Sequence, residues 1–194
     1  MEPLNMKDIA IIDAFPSYSY PKTVLEVGCG DGKLDYHLAT MGYKAYATDI
    51  KEWPSWKQLE KTSIYTEKTL FFSKADIFDL SSFPVKSASV VIASQVLEHL
   101  PGWRTALVHL IALAGVRLII TVPYKRSFSS PEHINFWIDQ PTSLFPEYKG
   151  ISEFIKLCHP YSTTISKIRT KPEDVPMNQY AYLIVVDKRQ GFNE

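Results

Sequence analysis

A chain of 194 residues is long enough for one α/β domain with its own hydrophobic core, and too short for a second full domain. Its 21 basic residues balance 21 acidic residues, so no net charge draws it toward nucleic acid or an anionic membrane. Hydrophobic residues make up 45% of the chain, which is typical of globular proteins and excludes disordered and fibrous classes.

The N-terminal segment, residues 1–22, is predicted to contain a helix, because apolar residues recur at helical spacing in residues 6–15. We expect this helix to lie over a cleft. The segment carries acids and prolines without a continuous apolar run, so it does not read as a signal peptide. The longest apolar region, residues 107–122, is interrupted by polar residues and too short for a bilayer, which predicts no membrane insertion.

Apolar runs alternate with helical patterns in the next hundred residues, which is typical of βαβ units and a parallel sheet. A helical stretch at 96–114 is divided or bent by Pro101 and Gly102, and Gly115 is predicted to end it. The predicted parallel strands are residues 23–28, 43–50, 69–77, 89–95 and 116–124.

The C-terminal part begins with residues 124–150, which have no steady period and are predicted to form a loop region covering one edge of the sheet. Substrate specificity is expected to reside there. A short helix at 152–158 and two strands at 163–170 and 180–188, joined like a hairpin, close the chain. The whole chain, 1–194, is therefore predicted to be a single domain.

A glycine-rich segment follows the first predicted strand directly and precedes a helix. Gly28, Gly30 and Gly32 allow the main chain to turn tightly and approach a ligand, and the helix N-terminus adds free N–H groups. Lys33 stands where the dinucleotide fingerprint requires its third glycine, which argues against NAD. The segment predicts a nucleotide-type cradle.

Two acids end the next two predicted strands. Asp49 can accept hydrogen bonds from both hydroxyls of a ribose, and Asp76, followed by Ile77, can accept one from an exocyclic amine. The carboxyl ends of neighbouring parallel strands meet at one edge of a sheet, so both acids are expected to share a cleft with the glycine segment.

The segments VLEVGCGDG (24–32) and DIFDLSSFPVKSASVVIASQVLEHLPG (76–102) resemble class I S-adenosylmethionine-dependent methyltransferases, especially the small-molecule and quinone-type group. The resemblance covers residues 20–125. It implies an α/β fold with a Rossmann-like, doubly wound, seven-stranded sheet of order 3-2-1-4-5-7-6, in which the last strand pair is antiparallel.

The resemblance also implies how S-adenosylmethionine, with S-adenosylhomocysteine as product, binds. The glycine segment would pass beside its methionine part, the second strand would hold the ribose, the third would recognise adenine, and the fourth would face the methionine end. The implied cofactor-binding residues are Glu26, Gly28, Cys29, Gly30, Asp49, Ile50, Asp76, Ile77, Ser94 and Gln95. Cys29 is expected there as a small buried residue without chemistry of its own.

Two histidines are candidate catalytic residues. His133 lies among aromatic residues in the aperiodic segment, and His99 follows Glu98 on a predicted helix, where such residues also cap or pack. A hydroxyl or protonated amine acceptor needs a general base, for which histidine is suited, whereas a carboxylate or neutral amine needs none.

Three functions remain open on the sequence: methylation of oxygen, nitrogen or carbon in a small molecule, methylation of RNA or protein, and a non-catalytic cofactor-binding partner subunit. The balanced charge argues against nucleic acid. No cysteine pair or Glu/His ligand cluster is evident, so metal-independent activity is predicted. Cys29 and Cys158 suggest free thiols and a cytoplasmic location, and no pattern specifies an oligomeric state.

Overall fold

A mixed β-sheet with helices packed on both faces forms the centre of the fold. The structure, a computed structural model, describes residues 4–16, 22–67, 69–124, 131–139, 148–171 and 179–188. The strands are β1 Thr23–Val27, β2 Lys44–Asp49, β3 Leu70–Lys74, β4 Ala88–Ser94, β5 Ala114–Pro123, β6 Phe136–Ile138, β7 Tyr148–Gly150, β8 Ser162–Arg169 and β9 Tyr180–Asp187. The helices are α1 Met6–Asp13, α2 Lys33–Thr40, α3 Trp56–Leu59, α4 Ser63–Thr66, α5 Trp103–Leu113 and α6 Glu153–Leu157, with short 3₁₀ turns at Leu80–Ser82 and Leu97–His99.

The main sheet has seven strands in the order β3-β2-β1-β4-β5-β9-β8. The first five are parallel, and β9 runs antiparallel to both β5 and β8. Since β9 and β8 occupy the places of the seventh and sixth strands, the order 3-2-1-4-5-7-6 is confirmed. The strand order changes direction between β1 and β4: β2 and β3 lie on one side of β1, and β4 and β5 lie on the other. Open α/β sheets bind ligands at such a switch point.

Alternation of side chains along the central strands creates two separate cores. On β4, Val91 and Ala93 pack in one cluster with residues of α5, whereas Val90 and Ile92 pack in the other with residues of α1 and α2. Successive residues of a strand point to opposite faces, so an apolar run without alternation marks a strand covered on both sides.

The helix predicted at 96–114 is divided at Pro101 and Gly102, as expected, and it ends within one residue of the predicted boundary, but the capping role predicted for Gly115 is wrong. The helix stops at Leu113, and Gly115 lies inside β5. A Cβ at Gly115 would stand 3.2 Å from the carbonyl oxygen of Ala88 in the paired strand. Glycine is thus suited here to close strand contact, and not to capping a helix.

The segment predicted as an irregular loop, 124–150, contains a second small sheet. Its strands β6 and β7 pair in parallel, and Tyr124 forms a bridge with Trp137 that ties them to the end of β5. Residues 125–130 and 140–147 lie outside the described residues. Trp137 is fully buried and packs edge-on against Trp103 of α5, at 5.6 Å between ring centroids. The aromatic residues therefore anchor this segment to the main domain.

The N-terminal helix is present as α1. Asn5 caps it by accepting a hydrogen bond from the backbone N–H of Asp8 at 2.9 Å, and Ile11 is fully buried against the sheet. Within the ranges that the structure describes, no helix has the length and apolarity needed to cross a membrane.

Candidate functional site

A cavity of about 540 Å³ opens at the carboxyl ends of β1 to β4. This volume lies within the range of cavities that hold drug-sized ligands. Its walls come from the loops that follow these four strands and from the segment before β6. The lining residues are Val27, Gly28, Gly30, Asp49, Ile50, Lys51, Trp53, Ala75, Asp76, Ile77, Gln95, Val96, His99, Leu100 and Glu132.

The glycine loop after β1 forms the floor of the cavity. The backbone N–H groups of Gly28 and Cys29 both donate to the carbonyl oxygen of Thr48, at 2.8 and 2.9 Å. Gly28 has a φ of 78°, and a Cβ on it would lie only 2.4 Å from Cγ2 of Val96. Only glycine satisfies both the left-handed backbone and this close approach.

Asp49, at the end of β2, fixes the loop in place. Its Oδ2 accepts a hydrogen bond from the N–H of Gly30 at 3.0 Å, and its Oδ1 accepts one from the N–H of Lys51 at 3.2 Å. The indole N–H of Trp56 donates to the carbonyl oxygen of Gly30 at 2.9 Å, which holds the other side of that residue. A carboxylate has about four lone-pair sites, so Asp49 retains capacity for two ligand hydroxyls.

The turn after β3 supplies the opposite wall. Oδ1 of Asp76 accepts a hydrogen bond from the N–H of Phe78, and Ser82 accepts one from the N–H of Asp76, each at 2.9 Å. Nδ1 of His109 lies 2.6 Å from the carbonyl oxygen of Ile77 and must donate, because a carbonyl only accepts. These bonds hold the Asp76 carboxylate at the wall of the cavity.

An apolar side chain faces the cavity between these two acids. Ile50 is 63% exposed although it directly follows a buried strand. An exposed isoleucine is not unusual by itself. In the lining of this cavity, however, it offers a surface on which a flat ligand can pack.

The end of β4 adopts a strained turn. Gln95 has a φ of 59°, which is uncommon outside glycine and costs about 1–2 kcal/mol. Two hydrogen bonds hold it to Thr121: its N–H donates to the carbonyl oxygen at 3.0 Å and its Nε2 to the hydroxyl at 3.3 Å. The hydroxyls of Ser94 and Thr121 lie 3.0 Å apart. Strain of this kind concentrates at functional sites.

Two buried carboxyls lie close together at the base of the glycine loop. Burial raises the pKa of Glu26 well above its usual range, and the neighbouring Asp35 carboxylate raises it further. Burial also raises the pKa of Asp35, which is fully inaccessible to solvent. In the part of the chain that is described, Oε2 of Glu26 has no hydrogen-bond partner. A ligand ammonium group would suit this oxygen.

A second group of polar side chains borders the cavity at the turn Leu97–His99. The rings of His99 and His133 lie edge to face, with centroids 4.7 Å apart. Glu98, close to both rings, is fully buried, and burial raises its pKa to about 8. One ligand atom from each of the three residues lies within 4.8 Å of the other two. This group is not evident in the sequence, because folding brings His133 to residues that lie far from it along the chain.

Backbone and amide hydrogen bonds fasten His133 to this turn. The carbonyl oxygen of Glu98 accepts from the N–H groups of Ile134 and Asn135, at 2.9 and 3.1 Å. Nδ2 of Asn135 donates to the carbonyl oxygens of Leu97 and Leu100, at 3.1 and 2.8 Å. The segment before β6 is thus clamped onto the turn after β4.

The structure brings seven of the ten predicted cofactor-binding residues to the wall of one cavity. They are Gly28, Gly30, Asp49, Ile50, Asp76, Ile77 and Gln95. Glu26, Cys29 and Ser94 do not line it. Cys29 is buried, and burial raises the pKa of its thiol, so it has no thiolate character. Of the two predicted catalytic histidines, His99 lines the cavity and His133 contacts its ring.

Sequence reasoning missed several lining residues. Lys51, Leu100 and Glu132 follow a predicted strand or flank predicted histidines, and these positions are the signal that could have found them. No residue of α1 lines the cavity; α1 packs against the β8 and β9 region of the sheet.

Comparisons with known proteins agree with this architecture. A protein-family model described as a methyltransferase domain matches residues 9–164. No curated protein matches the chain in sequence. Among solved structures, the chain is similar to a putative S-adenosylmethionine-dependent methyltransferase of Listeria monocytogenes, with a TM-score of 0.66 and 17% identity over 93% of this chain and 97% of the other.

Two further solved structures contain bound ligands. Magnesium protoporphyrin IX methyltransferase from Synechocystis, with bound S-adenosylmethionine, is 20% identical, with a TM-score of 0.62 over 93% of this chain and 74% of that one. A 1,6-didemethyltoxoflavin-N1-methyltransferase of Burkholderia thailandensis, with its acceptor and S-adenosylhomocysteine bound, is 19% identical, with a TM-score of 0.62 over 86% and 71%. At these identities the likeness establishes a shared fold.

Proposed function

Because this chain belongs to the methyltransferase-domain family, we propose that it transfers a methyl group from S-adenosylmethionine to a small-molecule acceptor. The observation that carries the proposal is the convergence of the glycine loop, Asp49 and Asp76 on one cavity at the switch point of the sheet. Each of these features alone occurs in proteins without such a function. Their arrangement on successive strands matches the parts of a nucleoside-containing ligand.

The cavity fits the cofactor from one end to the other. Asp76 and the apolar surface of Ile50 suit the adenine, and the remaining lone pairs of Asp49 suit the two ribose hydroxyls. The glycine loop allows the methionine part to approach the main chain closely. Glu26 lies behind this wall, directly before Val27, and its unpartnered oxygen suits the ammonium group through a bridging water.

The protein contributes mainly position and electrostatics. S-adenosylmethionine supplies a methyl group on a sulfonium whose leaving group is a neutral thioether, so the reactivity comes with the cofactor. The fixed glycine loop and the strained turn at Gln95 hold the methionine end, and orientation of this kind is a major source of rate enhancement.

His99 and His133 lie where the acceptor is expected to enter. His99 lines the cavity beyond Gln95, and His133 contacts its ring. We assign both histidines to the acceptor end of the cavity, with His99 at its wall and His133 behind His99. A hydroxyl acceptor would lose its proton there, whereas a neutral amine would need no proton transfer before the attack.

The charge balance of the chain favours a small acceptor over RNA. Two structural neighbours are methyltransferases named for small molecules, magnesium protoporphyrin IX and 1,6-didemethyltoxoflavin. The two free, buried cysteines, Cys29 and Cys158, support the proposal of a cytoplasmic location, where thiols stay reduced.

Transfer of a radiolabelled methyl group tests the proposal. The purified protein is incubated with methyl-labelled S-adenosylmethionine and a cell extract, which is then separated into small molecules, RNA and protein. Label is expected in the small-molecule fraction, and its amount is expected to fall sharply with an Asp49→Asn variant. Label in RNA or protein would contradict the acceptor class, and no transfer to any fraction would contradict catalysis.

A further inference from the structure

We propose that Glu98, His99 and His133 bind one divalent transition-metal ion at the acceptor side of the cavity. Their ligand atoms lie within 4.8 Å of one another, and one of the three residues lines the cavity. Two imidazole nitrogens and one carboxylate oxygen form the ligand set of many zinc and iron sites that keep positions open for water or substrate.

The buried carboxylate of Glu98 is an independent reason to place a cation here. Its side chain has no accessible surface, and neither carboxylate oxygen has a hydrogen-bond partner in the described ranges. A carboxyl group that is buried without a hydrogen-bond partner destabilises the fold, because its lost hydration is not replaced. A metal ion held jointly with the two histidines would remove this cost.

The spacing of the three residues is compatible with a metal ion after a small rearrangement. Ligand atoms of a tetrahedral zinc ion with bonds of about 2.0–2.1 Å lie about 3.3 Å apart. The observed limit of 4.8 Å therefore requires an approach of about 1.5 Å at most. His99 is partly exposed, so rotation of its side chain can supply this movement without a change in the core.

The backbone around the cluster is already fixed. Asn135 joins the segment of His133 to the turn of His99 through the carbonyl oxygens of Leu97 and Leu100. Residues that hold the ligand-bearing segments contribute to metal affinity although they do not touch the ion. Asn135 is accordingly a positioning residue of the site.

A metal ion at this position would define the acceptor more closely, and this consequence rests on the proposed function. An open coordination position beside the cavity suits a hydroxyl oxygen of the acceptor, whose proton would pass to solvent as the oxygen is coordinated. The oxygen would then take the methyl group, and the electron pair of the broken S–C bond would remain on sulfur. An oxygen acceptor is expected on this basis.

Metal titration tests the site without any acceptor. Tag-free protein is treated with a chelator, dialysed, and titrated with Zn²⁺ by calorimetry and with Co²⁺ by visible absorption. The wild type is expected to bind one ion, and Glu98→Gln and His133→Ala are each expected to weaken binding by at least about tenfold. The exposed His159→Ala, outside the cluster, is the matched control and should bind like the wild type.

Absence of binding to the wild type, or equal binding by wild type, Glu98→Gln and His133→Ala, would overturn the site. Thermal unfolding of each variant identifies a loss that comes from misfolding, and His133→Ala, which lies on the partly exposed segment, keeps the test valid if Glu98→Gln does not fold. S-adenosylmethionine binding is measured on the same chelator-treated protein. If it persists while no metal binds, the metal site fails and the proposed function stands, with His99 and His133 acting on the acceptor without a metal.

Discussion

Substitution of Gly28 by alanine tests the physical reason for the glycine loop. A Cβ at this position would lie 2.4 Å from Cγ2 of Val96, whereas ordinary contacts are 3.4–4 Å, and the φ of 78° places the residue in the left-handed region. The left-handed backbone costs about 1–2 kcal/mol for a residue with a side chain. The overlap requires Val96 to move by about 1 Å, and overpacking of this kind costs about 1–3 kcal/mol. The total expected loss in the free energy of unfolding is about 2–5 kcal/mol.

Three further variants separate these contributions. Gly42 has a φ of 86° but nothing within 4 Å of the position of a Cβ, so Gly42→Ala measures the backbone cost alone, about 1–2 kcal/mol. Val96→Ala removes the methyl group that overlaps. Because the overlap is then relieved, the Gly28→Ala/Val96→Ala double variant should lose about 1–3 kcal/mol less than the sum of the two single losses.

Urea unfolding followed by tryptophan fluorescence gives the free energy of unfolding of the wild type and of the four variants. Equal losses for Gly28→Ala and Gly42→Ala would refute the steric part of the argument. Additive losses for Gly28→Ala and Val96→Ala would show that the two side chains do not compete for the same space.

Two other predictions concern buried polar groups. Because the raised pKa values of Glu26 and Asp35 mean that the folded state binds more protons than the unfolded state, stability should fall as the pH rises from about 4 through about 7. Asp35→Asn should flatten this dependence and raise the stability at pH 8, measured as urea midpoints at pH 5 and pH 8; an unchanged slope would contradict the assignment. Asn135→Ala should leave the carbonyl oxygen of Leu100 without its donor, while the carbonyl oxygen of Leu97 keeps the backbone N–H of Leu100, and this should cost about 1–3 kcal/mol. Hydrogen exchange should then show faster exchange at the amides of residues 134 and 135, and unchanged protection would argue against the clamp.

The sheet and most of the cavity could be predicted because their signals are local. Apolar runs without alternation identify strands covered on both faces, and β1 to β5 lie close to the predicted ranges. The glycine loop, Asp49 and Asp76 were identifiable because each directly follows a strand, and the ends of parallel strands converge in any fold of this type.

The remaining features depend on contacts between distant parts of the chain. Gly115 follows a helical pattern as a helix-terminating glycine does. Its role is set instead by the pairing of β4 with β5, which brings it close to Ala88. The contact between His99 and His133 exists because hydrogen bonds join two segments that lie more than thirty residues apart in sequence. Asn135 donates from its side-chain amide to the carbonyl oxygen of Leu100, and the carbonyl oxygen of Glu98 accepts backbone N–H groups of the His133 segment. Hydrophobic periodicity and composition do not reveal contacts between residues that lie so far apart in sequence.

Calorimetric titration with S-adenosylmethionine and with S-adenosylhomocysteine tests the central claim most directly. The wild type and Asp13→Asn, a substitution at the exposed end of α1, are expected to bind both ligands alike. Asp49→Asn is expected to weaken binding by about 10- to 100-fold, because a charged hydrogen-bond acceptor for the ribose is lost. No heat of binding from either ligand with folded wild-type protein, or equal affinities for Asp49→Asn and Asp13→Asn, would contradict the assignment of this cavity as the cofactor site.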